Sequence, residues 1–307
     1  MAAGRCVCLR GSRVSPSVIT ARETGAVPLL RRRSVLLLLL LAPIALLNAL
    51  GFLAPMLNLA RMSFYEIEPT GAMREAFTLM TWEKVVSDSF YAELIIGSIG
   101  LSLVLTLVTL ICSYPIALYL HRSSGIWRTI LLVLVISPLL TSAVVRTYGW
   151  IAILSENGMV NNLLRFVGIA PMRLMFNRTG VIIGLAEILM PYMILALLAG
   201  FGRLDPRVEE AASTLGAPPF TVFRRIVLPL TLPGIALGSL LCFVLAVSSF
   251  ITPKLLGGGR VFLLATEIYD QAIVTLHWPL AATLSIIVLV IFGGALVLYS
   301  RALRQDM

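Results

Sequence analysis

Six stretches of this chain are too long and too apolar for an ordinary soluble domain. They begin with "SVLLLLLLAPIALLNALGFLAPML" after Arg33, and continue at about Leu94–Leu120, Thr129–Ile153, Gly180–Gly200, Gly234–Ile251 and Pro279–Leu303. Each approaches the roughly 20 residues that carry a helix across a bilayer. In hydrocarbon every backbone N–H and C=O must be satisfied within the protein, which leaves helices or a closed barrel. The runs show no alternation of apolar and polar residues, so they are helices and not barrel strands. The expectation is an all-α integral membrane protein with six transmembrane helices. Composition agrees. Charged residues make up 13% of the chain, about half the share in soluble proteins.

The formal charge of +9 raises the question of nucleic acid, since basic patches attract phosphate. The distribution points elsewhere. Arginines crowd the ends of apolar runs, at Arg31–Arg33, Arg122, Arg128, Arg203, Arg207, Arg224, Arg225, Arg301 and Arg304. Lys and Arg near span ends mark the cytoplasmic side. With the N terminus inside, these positions all fall inside, whereas the outer segments carry most of the acids. Both termini are therefore expected in the cytoplasm. Residues 1–33 read as a disordered basic tail, residues 34–303 as the membrane domain and residues 304–307 as a second short tail. A cleaved signal peptide would have a shorter apolar core than the first run. The four cysteines, Cys6, Cys8, Cys112 and Cys242, show neither metal-ligand nor disulfide spacing.

Between the fourth and fifth runs lies residues 203–230, a cytoplasmic loop with charges, adjacent prolines and an Arg pair. Asp205 is a helix N-cap and Pro206 suits the first turn. Glu209 and Glu210 complement the helix dipole there, and Gly216 is a natural left-handed terminator. Pro218 and Pro219 then open a second short helix with Phe220, Phe223 and Ile226 or Val227 on one face and Arg224 and Arg225 on another. Pro229 and Pro233 bracket the return to the membrane. Chemistry alone leaves a lipid-surface loop and a protein-docking loop equally open.

The spacing resembles a known element. Glu210-Ala211-Ala212, three residues, Gly216, nine residues, then Ile226-x-Leu228-Pro229 is similar to the "EAA" loop of ABC-importer permease subunits. The likeness continues in "VVRTYGWIAILSENGMVNNLL" (Val144–Leu164), "MPYMILAL" (Met190–Leu197), "SFITPKLLGGG" (Ser249–Gly259) and "HWPLAATLS" (His277–Ser285). These look like the spermidine/putrescine-type subclass. The resemblance implies a type I ABC importer permease fold in a bacterial inner membrane, and a polyamine as solute. It also implies that the loop is a coupling helix docking on a cytoplasmic ATPase. The partners implied are a second permease subunit, two ATPase subunits and an extracytoplasmic solute-binding protein. ATP and Mg would sit on the ATPase, with no cofactor and no catalytic residue on this chain.

Inside the membrane the sequence singles out Glu187, about two turns into the fourth span, and Arg146 near the outer end of the third. A charge at such depth costs about 2.5–3.5 kcal/mol and faces a cavity or a partner. The two spans run antiparallel, so Arg146 and Glu187 are expected to face the interior at similar depth. They either form a structural pair or line the solute path. An acid at Glu187 departs from the family pattern. Tyr148, Trp150 and Asp270 are outer-side candidates, Trp150 and Asp270 together for holding a cation by π and charge contacts. "LLGGGR" (Leu255–Arg260) lacks the Lys-Ser/Thr of a phosphate loop and reads as a flexible turn outside the fifth span. Another solute (a phosphonate, an opine, another organic cation or iron) fits the same architecture. An ion-coupled secondary transporter would need internal repeats, and none is visible.

Overall fold

In the computed structural model, residues 40–67 and 73–305 are described. The expected tail, residues 1–33, lies outside them, as do residues 306–307. The chain divides into two units, residues 1–56 and 57–307. The helix Leu40–Met62 (α1) runs through the boundary. In the first unit it widens into a π-turn at Ala49–Leu53, just ahead of Pro55, whose missing N–H cannot continue the ordinary ladder.

The second unit continues with a two-stranded antiparallel ribbon, β1 (Glu66–Ile67) and β2 (Met73–Arg74), in which Glu66 pairs with Arg74. Helices follow: α2 (Met80–Ser87), α3 (Ser89–Arg122), α4 (Gly125–Ile136), α5 (Ala143–Leu154), α6 (Met159–Phe166) and α7 (Arg178–Gly200). Then come α8 (Pro206–Thr214), α9 (Pro219–Ser248), α10 (Ile251–Leu256), α11 (Leu264–Tyr269) and α12 (Trp278–Gln305). By length and composition α1, α3, α7, α9 and α12 suit membrane spans, five in all, or six where the bent pair Gly125–Leu140 and Ala143–Phe166 counts as one.

That bent pair corrects one expectation. Residues 129–153 are not one helix. Two helical segments, Gly125–Leu140 and Ala143–Phe166, meet at 100°. Pro138 has no N–H to give to Leu134 O, and the Ser137 hydroxyl takes that carbonyl instead at 3.1 Å. A 3₁₀ turn spans Ser137–Leu140, and Ser142 Oγ then accepts Val144 N–H at 3.3 Å to start α5. A proline and a capping serine four residues apart thus interrupt an otherwise uniform apolar run.

The core forms where α3, α7 and α9 meet, around Leu105, Leu185, Leu189, Met193, Leu197, Phe201 and Cys242. With no aqueous solvent to expel, close helix packing in lipid depends on small residues that let backbones touch. Gly234 and Gly238 provide such a face on α9. A Cβ on Gly200 would lie 2.3 Å from Gly234 Cα, and one on Gly238 would meet Met193 Sδ at 2.6 Å. The spacing Gly234-x-x-x-Gly238 is the legible signal for this contact. A second cluster joins Val85, Tyr91, Leu94, Leu264, Leu280 and Leu284 from α2, α3, α11 and α12.

One further expectation changes. The second helix of the 203–230 loop is not short. It runs through Pro229 and Pro233 to Ser248, because the ladder shifts register before Pro229: Leu228 N–H bonds to Phe223 O across the π-turn Phe223–Val227. The "LLGGGR" segment finishes α10 and then turns, buried at Leu256 and Gly257 and exposed from Gly258 to Arg260. Leu256 is fully buried, and a Cβ on Gly258, where φ is +56°, would lie 2.1 Å from the Phe176 ring.

Candidate functional site

The 203–230 loop is built by its caps. Asp205 Oδ1 accepts Arg207 N–H at 2.9 Å, and Pro206 occupies the first turn of α8. At the other end Gly216 adopts φ +81°. Gly216 N–H bonds to Ser213 O at 3.0 Å and Ala217 N–H to Ala212 O at 3.2 Å. Those two bonds form a Schellman motif, which only a left-handed residue completes at low cost. Nothing lies within 4 Å of a Cβ at Gly216, so glycine is needed for its backbone angle and not for space.

Exposure divides the loop into an outer and an inner side. Glu210, Ala211, Gly216 and Pro229 are exposed, with Ala212, Ile226 and Leu228 half-buried. Leu215 and Phe220 are 88% and 73% exposed, an apolar knob at the tip. Val222 and Val227 are buried, with Phe223 and Ile226 half-buried.

Two ties fix the loop to the end of α3. Arg122 Nη2 donates to Glu209 Oε2 at 2.6 Å, and the Glu209 side chain is only 20% exposed. The Tyr114 ring stands edge-on to Phe223 and to Phe201, with centroids 5.9 Å and 5.7 Å away. Its hydroxyl meets Thr231 Oγ1 at 3.0 Å. His121 packs edge-on against Phe201 at 5.7 Å. Arg122 and Tyr114 escape a sequence reading because both come from a span remote in the chain, and Thr231, next to the loop, carries no local pattern.

The membrane candidates separate into two groups. Arg146 and Trp150 on α5 meet Glu187 on α7. Arg146 Nη1 lies 3.7 Å from Glu187 Oε1, and Trp150 Nε1 donates to Glu187 Oε2 at 3.2 Å. Asp270 is not with Trp150. It is bonded to Lys254, whose ammonium also lies 5.1 Å from the Tyr269 ring centroid, and Phe250 stacks on that ring. The cause is α10, which folds back beside α5 through a buried Thr147–Thr252 hydroxyl contact of 2.9 Å. That return brings Lys254 to Asp270. Tyr148 is 58% exposed and stands outside both groups. Among the described residues no cluster of His, Cys, Asp and Glu has metal-site geometry.

Comparison with known proteins matches this arrangement to a family. Residues 113–304 match the family described as "Binding-protein-dependent transport system inner membrane component". The chain is 35% identical over 252 residues to the spermidine/putrescine transport system permease protein PotB of Escherichia coli K12, covering 81% of this chain and 91% of that one. It is 30% identical over 220 residues to the molybdenum transport system permease protein ModB of Mycobacterium bovis, covering 71% and 81%. In fold it is similar to a chain of a bacterial alginate ABC transporter, crystallised with an alginate pentasaccharide-bound periplasmic protein. There the TM-score is 0.74 at 19% identity, over 89% of this chain and 96% of that one.

Proposed function

The chain belongs to the family of inner membrane components of binding-protein-dependent transport systems, and we propose from that premise how it couples and what it carries. It is a permease subunit of an ABC importer and not an enzyme, and ATP hydrolysis belongs to a separate subunit. We infer that both termini and the 203–230 loop are cytoplasmic. Glu210, Ala211, Ala212, Gly216, Ile226, Leu228 and Pro229 then form the element that docks on the ATPase. The observation that carries this is the capped α8 turn, which presents Leu215 and Phe220 to solvent while Glu209 and Phe223 hold its back to α3. A second permease subunit, two ATPase subunits and a solute-binding protein complete the assembly. ATP and Mg belong on the ATPases, with none on this chain. Closure of the ATPase dimer draws the two coupling loops together, opens the bundle outward to receive solute, and resets after hydrolysis.

For the solute we propose a polyamine. The PotB relatives support it, and the ModB relative keeps the architecture open to other cargo. Glu187 favours a cation, since its side chain is 31% exposed against 13% for Arg146. Arg146, Tyr148, Trp150, Glu187 and Asp270 remain the candidate path residues, with Asp270 already holding Lys254.

Gly216→Val tests the coupling element. A β-branched residue at φ +81° is disfavoured by about 1–2 kcal/mol, enough to unwind the last turn of α8 without touching the spans. Complete transporters carrying it are expected to insert normally and hydrolyse ATP without moving solute. Coupled uptake at the wild-type rate overturns the docking reading.

A further inference from the structure

Among the described residues, the charged group with buried N–H atoms lacking any hydrogen-bond partner is Arg146, at Nε and Nη1. It lies against Glu187, yet the 3.7 Å separation of Nη1 from Oε1 exceeds hydrogen-bond reach. A charge-assisted N–H···O bond closes to about 2.7–2.9 Å. Glu187 accepts the Trp150 indole N–H at 3.2 Å, while an ionised carboxylate offers about four lone-pair sites. Both charges sit on helices that span or line the membrane, where unsatisfied polar groups are costly. As a fastening between α5 and α7 this pair is poor. Buried ion pairs offset their desolvation only when their hydrogen bonds are complete.

The exposures are asymmetric. Glu187 is the accessible partner and Arg146 the enclosed one. A protonated amine reaching Glu187 brings three donors on a compact charge and forms the bonds that the guanidinium does not. Trp150 holds the second carboxylate oxygen and keeps the other toward the approaching cation. We propose that Glu187 is the membrane site for a protonated amino group of the solute, and that Arg146 is its resident counter-ion, occupying the carboxylate between passages. Trp150 is a positioning residue.

This assignment rests on the reading of the solute as a polyamine and adds its binding group. It also explains a charge pair that a tight binder would not keep. A bare carboxylate away from water would hold a dication too long, whereas conduction needs binding weak enough to release. A tethered guanidinium competes with each arriving amine and returns as it leaves.

The test uses the complete transporter, trapped with vanadate and without binding protein, with labelled putrescine as probe. Glu187→Gln is expected to weaken putrescine binding at least tenfold, and Glu187→Asp to recover most of it. Arg146→Gln is expected to tighten binding several-fold and to slow uptake, because the competitor is gone. Arg146→Lys, which keeps a charge, is expected to fall between it and the wild type, and serves if the glutamine variant does not assemble. A structural pair gives a different pattern: both single changes weaken binding together, and the swap Arg146→Glu/Glu187→Arg restores it. That pattern overturns the proposal. No binding by the wild type, with putrescine uptake from loaded binding protein intact, overturns this assignment alone. No putrescine uptake at all overturns the polyamine reading and this assignment with it.

Discussion

The closest backbone approach in the core gives a prediction with a built-in control. Gly200 ends α7 and Gly234 lies midway along α9. A Cβ on Gly200 would stand 2.3 Å from Gly234 Cα and 2.8 Å from its nitrogen. Carbon atoms in contact prefer about 3.5–4.0 Å, so Gly200→Ala forces the helices apart by about 1 Å or more. Nothing flexible is available to yield, since the obstructing atoms are backbone. Overpacking of this kind costs about 1–3 kcal/mol. Alanine also gains about 1 kcal/mol over glycine in a helix interior, which obscures any single comparison. Gly100 on α3 is the reference for that term, because a Cβ there meets nothing within 4 Å. Gly200 closes its helix and gains less from that term than Gly100, so the difference between Gly200→Ala and Gly100→Ala is the packing cost, about 1–3 kcal/mol, plus the unshared part of the helix term, up to about 1 kcal/mol. At 1.4 kcal/mol per decade, the packing cost is about 5- to 150-fold in the unfolding equilibrium constant. Unfolding the purified chain with SDS in mixed micelles, followed by far-ultraviolet circular dichroism, measures it. Equal stability of the two variants would refute the claim that α7 and α9 touch through their glycines.

Two further outcomes follow from the site. A double-mutant cycle on Arg122→Ala and Glu209→Ala is expected to give a coupling energy of at most about 1 kcal/mol, weakening with salt, since Arg122 is half exposed. Additive effects on stability would remove this tie between α8 and α3. His277 Nδ1 accepts Leu280 N–H at 3.3 Å and caps α12. Burial, assisted by the nearby Lys84 charge, lowers its pKa below the unfolded value of about 6.5. The folded state therefore binds fewer protons, so the cap is fully present above that value and lost as pH falls through the folded pKa. Amide exchange at residues 278–281 should quicken on acidification below about pH 6.5 in the wild type but not in His277→Asn, and identical profiles would exclude the cap.

The loop was legible because its signals are local. Asp205, Pro206 and Gly216 each act within four residues through cap chemistry, and each does what its residue type dictates. The spans were legible as apolar runs, and the family through the spacing from Glu210 to Pro229. What escaped depends on distance in the chain or on competition between signals. Pro138 signals a kink, as prolines in membrane helices do, and only its combination with the Ser142 cap turns that kink into a corner. Pro229 and Pro233 pointed to an ending that a π-turn averts. The Lys254–Asp270 contact needed the return of α10 beside α5, which no periodicity announces.

The Gly200–Gly234 contact has a geometric consequence for the loop between them. The backbones meet at the two residues that flank residues 201–233, so that segment is closed at its neck like a ring on a stem. Pressure on the tip at Leu215 and Phe220 cannot be absorbed by pressing α7 closer to α9, because their backbones already meet at that neck. A load there meets α7 and α9 together, and reaches α3 through the contacts of Arg122 and Tyr114.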